Sequence, residues 1–179
     1  MAIDGPYKGF KSKSPISTDG SREIVRIYRK FHPNQVELYT LSKTHERVKR
    51  QKYVDIASKK HIKWLLILDS DEFLTTLDSK KFIKELVKTE KECEPGYTFG
   101  VSMLDTHQNN YRCFRPRLWY RPELIHYKDR HSEFDAKKLR DIPRDIIEIT
   151  HSHSCRPEKR QEQQQDYVYR LAVLEQQYC

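Results

Sequence analysis

Apolar and polar positions along the first half of the chain predict helices and strands in turn. A helix-like spacing of apolar residues runs from Ser21 to about Phe31, and Val36–Leu41 then alternates as a short strand does. A strongly basic stretch follows and predicts a second helix that ends near Lys60, with Ser42 or Thr44 as its cap.

The next elements are the most apolar of this half. Trp64–Leu68 is a continuous apolar run of strand length, which is the pattern of a strand covered on both faces. Asp78–Glu90 has helical spacing, and we expect its apolar residues to point inward, namely Phe82, Ile83, Leu86 and Val87.

The second half has a strand-like, aromatic pattern. It predicts strands over residues 97–104, 111–120 and 124–127, and a short one over Asp145–Thr150, before a polar C-terminal helix within residues 156–179. The whole order predicts an α/β fold with a mixed, mainly parallel sheet flanked by helices. At 179 residues we expect one domain, with halves of about 1–75 and 95–155.

An acidic cluster, Asp69-Ser70-Asp71-Glu72, follows the apolar run directly. In an extended segment Asp69 and Asp71 share one face, where unpartnered carboxylates repel and are costly to desolvate. A hard divalent cation removes both costs, so the cluster predicts a metal site at the carboxyl end of a strand. A solvated acidic turn and a helix N-cap are the open alternatives.

The composition is basic, with 34 Lys and Arg against 26 Asp and Glu. A net charge of +8 attracts polyanions such as nucleic acid, an anionic membrane or a phosphorylated substrate. Four of these cations lie on the predicted second helix, before the acidic cluster: Arg47, Lys49, Arg50 and Lys52. Their positive charge suits the binding of a diphosphate. A solvated basic helix face has the same pattern and is the open alternative.

The four cysteines lack the paired spacing of a structural zinc site. No apolar run approaches the roughly 20 residues of a membrane-spanning helix, and the first residues lack the apolar core of a signal peptide. These features predict a cytoplasmic protein.

The residues around the acidic cluster resemble the family-two type glycosyltransferases of the GT-A fold. That family has an Arg-Asn pair on a helix, then an Ala, then an apolar strand ending in Asp-x-Asp. Arg50-Gln51, Ala57 and Leu65–Leu68 before Asp69-Ser70-Asp71 follow this order, with Gln51 in place of the usual Asn and a longer spacer after Ala57.

Outside this segment the likeness is looser. Ile3-Asp4-Gly5 is similar to the family's second strand, and Ile149-Thr150-His151 to its late metal-binding histidine. Arg112–Arg115 and His131-Ser132-Glu133 resemble an Arg-rich strand and a His-Glu element of some relatives. The family's first strand has no counterpart before Ile3, so we expect a minimal or N-terminally shortened version.

The resemblance implies a role for each candidate residue. Asp69, Asp71 and His151 would bind Mn²⁺ or Mg²⁺, with His153 as an alternative to His151. Asp4, Arg47, Arg50 and Asp69 would contact the nucleotide-diphosphate sugar. Glu133 would be the catalytic base, with Asp135 and Asp105 as rivals.

The predicted reaction is metal-dependent, inverting transfer of a sugar from a nucleotide-diphosphate sugar to a hydroxyl of a glycan, lipid or protein, and a retaining course stays open. One alternative is a basic nucleic-acid-binding protein, because aromatic and arginine residues interleave over Tyr111–Arg121. A metal-dependent nucleotidyl or phosphoryl transferase is another. Peripheral contact with an anionic membrane also stays open.

Overall fold

A computed structural model describes residues 1–5, 8, 13–16, 18, 20–69, 71–106, 109–128 and 134–152. The described residues form an α/β protein in two compact units. The first includes Met1–Tyr53 and Tyr127–Glu133, and the second consists of Val54–His126 and Phe134–Pro157. The predicted C-terminal helix within 156–179 lies outside the described residues.

The first unit is built on a short β–α–β segment. Strand β1 (Ala2–Asp4) pairs in parallel with β2 (Leu38–Thr40), and helix α1 (Ser21–Phe31) connects them. The bounds of α1 are those that the apolar spacing predicts.

Helix α2 (Glu46–Lys59) begins in the first unit and continues into the second. His45 caps it, because its Nδ1 accepts a hydrogen bond from the Arg47 backbone N–H at 3.2 Å. The prediction of Ser42 or Thr44 as the cap is therefore wrong: the helix starts later than either residue requires.

The second unit holds a mixed sheet and a helix that packs on it. The elements are β3 (Trp64–Leu66), β4 (Glu72–Leu77), α3 (Ser79–Glu92), β5 (Tyr97–Asp105), β6 (Tyr111–Tyr120), β7 (Lys137–Asp141) and β8 (Ile147–His151). The strand order is β3-β6-β5-β8-β4, and β7 also pairs with β5. β5 is antiparallel to β6 and parallel to both β7 and β8, while β3–β6 and β4–β8 are antiparallel. The structure thus confirms the α/β class, with parallel and antiparallel pairs in one sheet.

The apolar run before the acidic cluster differs from the prediction. β3 is an end strand of the described sheet, its three residues are half-buried, and Leu68 is exposed. Ile67 is buried, but the partial exposure of the other residues shows that the prediction of cover on both faces of the run is wrong.

A hydrogen bond between Asp69 and Glu72 shows that the acidic cluster does not continue the strand. The Glu72 backbone N–H donates to the Asp69 carbonyl at 3.0 Å, so the chain reverses direction between the two residues. Asp69 and Asp71 therefore do not share one face. The five residues between β3 and β4 lead from one end of the sheet order to the other.

Helix α3 packs against the core of the sheet with some of its apolar residues, and the others are exposed. Asp78 caps it by accepting from the Lys81 N–H at 3.0 Å. Phe82 and Leu86 contact the core, which is centred on Phe99, Val101, Leu118, Ile147 and Ile149. Ile83 and Val87 are exposed, so their predicted inward orientation is wrong.

Two further predictions need correction. Residues 124–127 are not a strand, because a 3₁₀ turn over Pro122–Leu124 interrupts the extended backbone. β7 was not predicted at all, since its sequence KKLRD has a single apolar residue.

Within the described ranges, we find no helix long and apolar enough to cross a membrane.

Candidate active site

Three side chains from distant parts of the second unit meet at one end of the sheet. In the sheet register, β8 places His151 beside Asp105 of β5 and beside Glu72 of β4. His151 Nε2 lies 3.1 Å from Asp71 Oδ2, and its Nδ1 lies 3.2 Å from Asp105 Oδ2. Two backbone hydrogen bonds fix this arrangement, from Ser152 N–H to the Asp71 carbonyl and from Thr106 N–H to the His151 carbonyl.

The two carboxylates of this cluster are largely buried. The side chains of Asp71 and Asp105 are 6% and 12% exposed, so each carboxylate needs a partner that compensates for lost water. A neutral imidazole has one N–H and can donate to only one of them. A metal ion bound at one ring nitrogen would place positive charge beside both carboxylates.

A second acidic pair lies beside this cluster, held by Arg117. Arg117 Nη2 lies 2.9 Å from Asp69 Oδ2 and also contacts Glu72 Oε1, and Glu72 Oε2 accepts from the Asp69 N–H at 3.0 Å. Burial raises the pKa of Glu72 more than the neighbouring Arg117 guanidinium lowers it. The buried Nε of Arg117 has no hydrogen-bond partner among the described residues. Arg117 thus fixes the turn that presents Asp71.

Arg112, in the same arginine-rich strand, is also paired with a carboxylate. Arg112 Nε lies 3.4 Å from Glu148 Oε2, the oxygen that accepts from the Ser102 hydroxyl at 2.9 Å. Trp119 and Tyr120 are buried in the sheet. The interleaved pattern over Tyr111–Arg121 therefore does not form a continuous stacking surface.

In the first unit, Asp4 ends β1 and is held by Arg22 of α1. Arg22 Nη1 lies 3.0 Å from Asp4 Oδ2 and 2.7 Å from the Thr40 hydroxyl, and Asp4 Oδ1 accepts from the Gly5 N–H at 2.7 Å. The sequence indicated Asp4 but gave no signal for Arg22.

The predicted phosphate-binding arginines are on α2. Arg50 Nε lies 3.1 Å from Glu46 Oε1 one turn away, and Arg47 is exposed. Gln51 Oε1 accepts from the Tyr127 N–H at 3.0 Å, which gives the residue in the usual Asn position a structural contact. Lys49 is buried against the Gly5 carbonyl, and burial lowers its pKa.

Two of the three candidate bases, Asp105 and Asp135, lie among the described residues. Glu133 and His153 lie outside the described residues. Asp135 Oδ1 accepts from the His126 N–H at 2.6 Å, and Asp105 contacts His151 as described above.

Asp71 and His151, two of the three predicted metal ligands, are brought together, and the third, Asp69, pairs with Arg117. In the part of the chain that the structure describes, no group of three or more His, Cys, Asp or Glu side chains is arranged to hold a metal ion. The sequence analysis placed Glu72 in the acidic cluster without giving it a role, and it did not predict Arg117, which lies in the arginine-rich strand.

No known protein family model matches the chain, and no curated protein matches it either.

Proposed function

We propose that the chain catalyses metal-dependent transfer of a sugar from a nucleotide-diphosphate sugar to an acceptor hydroxyl, on a GT-A-like fold. The observation that carries the proposal is the contact between Asp71 and His151. These residues are 80 positions apart and were predicted as metal ligands from separate segments, and their side-chain atoms lie 3.1 Å apart.

The chemistry of the cluster fits a divalent cation. Carboxylate oxygen and imidazole nitrogen are suitable ligands for Mn²⁺, and Asp71 and His151 supply one of each. A carboxylate on the far ring nitrogen is the usual support of a metal-binding histidine, and Asp105 lies there at 3.2 Å. A cation held here would neutralise the negative charge that a diphosphate leaving group develops.

The protein's own groups would orient that site. Arg117 holds Asp69 and Glu72 and so keeps the turn that carries Asp71 in place. Asp69 remains a proposed ligand on the strength of the resemblance. Asp4, Arg47 and Arg50 of the first unit remain proposed donor contacts on the same basis.

The catalytic base remains Glu133. Both rivals have a polar partner in the structure: Asp105 contacts the ring of His151, and Asp135 accepts from the His126 N–H. A carboxylate already committed to such a partner is a weaker acceptor for the proton of a hydroxyl substrate.

The proposal is tested first by metal binding. Thermal unfolding is measured with Mn²⁺, with a panel of nucleoside diphosphates, and with both together, because a ligand that binds only the folded state raises the melting temperature. We expect the largest rise with both, and its loss in Asp71→Asn and His151→Ala.

Two matched controls use residues away from the cluster. Asp145→Asn changes a carboxylate that pairs with exposed Lys81, and His61→Asn changes a histidine at φ 53°, a conformation that Asn tolerates. Both should keep the wild-type response. No metal-dependent shift, or an equal shift in Asp71→Asn, would refute the metal site.

Product analysis then separates the reaction classes. Incubation with Mn²⁺ and each nucleotide sugar should release nucleoside diphosphate, by transfer or by slow hydrolysis. Release of pyrophosphate from a nucleoside triphosphate would instead identify a nucleotidyl transferase.

A further inference from the structure

The cluster around His151 belongs to a row of side chains that crosses the end of the sheet. Asp105 of β5 pairs with His151 of β8 on one side and with Tyr111 of β6 on the other, and His151 also pairs with Glu72 of β4. Directly paired residues direct their side chains to the same face of a sheet. Tyr111 therefore lies beside Asp105, on the face that carries the cluster.

The connection between β5 and β6 fixes the position of Tyr111. Asn109 and Asn110 directly precede it with φ values of 53° and 59°, left-handed values that Asn accepts and that are typical of tight hairpin turns. At the end of β5, the Thr106 N–H donates to the His151 carbonyl at 3.1 Å. The strand that carries Tyr111 is thus held at a defined distance from His151.

Tyr111 differs from the rest of this row in its exposure. Asp105 and Glu72 are 8% and 9% exposed, whereas Tyr111 is 55% exposed. A large ring with much of its surface in water gains free energy when a ligand covers it, and binding sites commonly combine such rings with a few polar groups. An open aromatic surface therefore borders the buried polar cluster.

The spacing of the strands sets the size of a ligand that reaches both ends of this arrangement. Neighbouring strands lie about 4.8 Å apart, so His151 and Tyr111, two strands apart, are separated by about 10 Å. In a nucleotide-diphosphate sugar, the sugar is joined directly to the diphosphate, whereas the base lies beyond a ribose. The shorter reach, from a diphosphate beside His151 to its own sugar, suits this separation better.

The chemistry of a sugar ring also suits a tyrosine at this place. A pyranose presents C–H groups on its faces and hydroxyls around its edge, so one face can cover an aromatic ring while the hydroxyls stay hydrogen-bonded. Tyrosine adds a hydroxyl that can donate to or accept from the sugar.

We propose that Tyr111 is a substrate-binding residue whose ring stacks on the sugar ring of a ligand bound at the Asp71–His151 cluster. The sugar is that of the nucleotide donor or of a glycan acceptor, since both present the same C–H face. The inference rests on the proposed function and adds a saccharide contact that the metal ligands do not supply.

The first arm of the test measures the donor. Isothermal titration in the presence of Mn²⁺ compares UDP-glucose, UDP-N-acetylglucosamine and GDP-mannose with their nucleoside diphosphates. Tyr111→Ala should weaken nucleotide-sugar binding about fivefold to tenfold, because the sugar loses its aromatic partner. Binding of the nucleoside diphosphate and of Mn²⁺ alone should not change, and Tyr111→Phe, which keeps the ring, should retain most of the sugar's contribution.

The second arm measures the acceptor and needs no metal. Saturation-transfer difference NMR detects binding of free monosaccharides and disaccharides to the full chain. A signal that Tyr111→Ala removes, together with unchanged nucleotide-sugar affinity, would assign the ring to the acceptor.

A second tyrosine supplies the matched control. Tyr28 on α1 is 57% exposed, and Tyr28→Ala should bind saccharides as the wild type does. Tyr111→Thr repeats the test with a residue that strands favour, and circular dichroism and thermal melting check the fold of each variant.

The outcomes separate this inference from the metal site. Saccharide binding that both Tyr111 variants leave at the wild-type level, an equal loss in Tyr28→Ala, or absence of saccharide binding in both arms would overturn the role of Tyr111, whatever Mn²⁺ does. A wild type that binds saccharide through Tyr111 but does not bind Mn²⁺ would instead refute the metal-dependent reaction and keep the saccharide contact.

Discussion

Asp105 contacts the far side of the imidazole that Asp71 also contacts. When a cation is bound at Nε2, the remaining ring proton is on Nδ1 and donates to Asp105. Asp105 would then fix the tautomer of His151 without binding the proposed metal. Its effect on metal affinity would therefore be smaller than that of a ligand.

Asp105→Asn should weaken Mn²⁺ binding by about 10–100-fold without abolishing it, the usual cost of losing a carboxylate behind a metal-binding histidine. Asp71→Asn should abolish binding within the measurable range. Isothermal titration with Mn²⁺ compares the two, with Asp145→Asn as the control. Equal effects of Asp105→Asn and Asp71→Asn would show that Asp105 is itself a ligand.

Lys49 makes stability depend on pH in the first unit. Burial lowers its pKa below the ordinary value of 10.5, so the folded state binds fewer protons than the unfolded state between the lowered value and 10.5. The free energy of unfolding therefore rises with pH across that window. Asp4 and Glu46 oppose the shift but do not reverse it.

We expect the stability of the wild type relative to Lys49→Met to increase as the pH rises through the window between the lowered pKa of Lys49 and 10.5. Urea unfolding at several pH values measures it, and Lys59→Met, an exposed position on α2, is the control. A difference that stays constant with pH would contradict this expectation.

Among the elements, α1 and α3 show what a periodic apolar pattern can and cannot predict. Their positions follow from apolar spacing, and Asp78 marks the start of α3 by capping it. Which apolar residues are buried does not follow, because spacing is the same whether or not a sheet covers that face. Hence Ile83 was predicted inward but is exposed, and β7 was missed because its residues have no pattern of their own.

A matched pair on α3 tests its orientation. Leu86→Ala should lower the free energy of unfolding by about 2 kcal/mol, because it leaves space beside Trp64, Phe99 and Leu118. Val87→Ala, the next residue, should change it by less than about 0.5 kcal/mol because Val87 is exposed. Urea unfolding of both variants is the measurement, and equal losses would mean that α3 is rotated.

For the whole molecule, the arginines are a weaker guide to nucleic-acid binding than the sequence suggests. Arg112 and Arg117 pair with carboxylates, and Arg22 and Arg50 do the same in the first unit. These arginines stabilise the fold through ion pairs.

Binding to single-stranded DNA or RNA should therefore be non-specific, with a dissociation constant of about 10⁻⁴ to 10⁻⁶ M at physiological salt. Fluorescence anisotropy over a salt series measures it. Sequence-dependent binding well below 10⁻⁶ M, on the order of a specific complex, would favour the nucleic-acid alternative.

The candidate site was partly predictable. Asp71 was predicted from the acidic cluster and His151 from a resemblance, but their contact arises from the pairing of β4 and β5 with β8, which local patterns do not encode. Asp105 was considered only as a base. Arg117 was overlooked because an arginine in an aromatic strand has the same pattern whether it faces solvent or a carboxylate.

The position of β8 between two other strands of the sheet has a consequence during synthesis. β8 is the last strand of the described chain, yet it lies between β5 and β4, which are made much earlier. Until β8 emerges from the ribosome, an edge of β5 and an edge of β4 lack this partner, and unpaired edges invite pairing with other chains. Nascent chains that stop before Ile147 should therefore need chaperones more than the finished protein does.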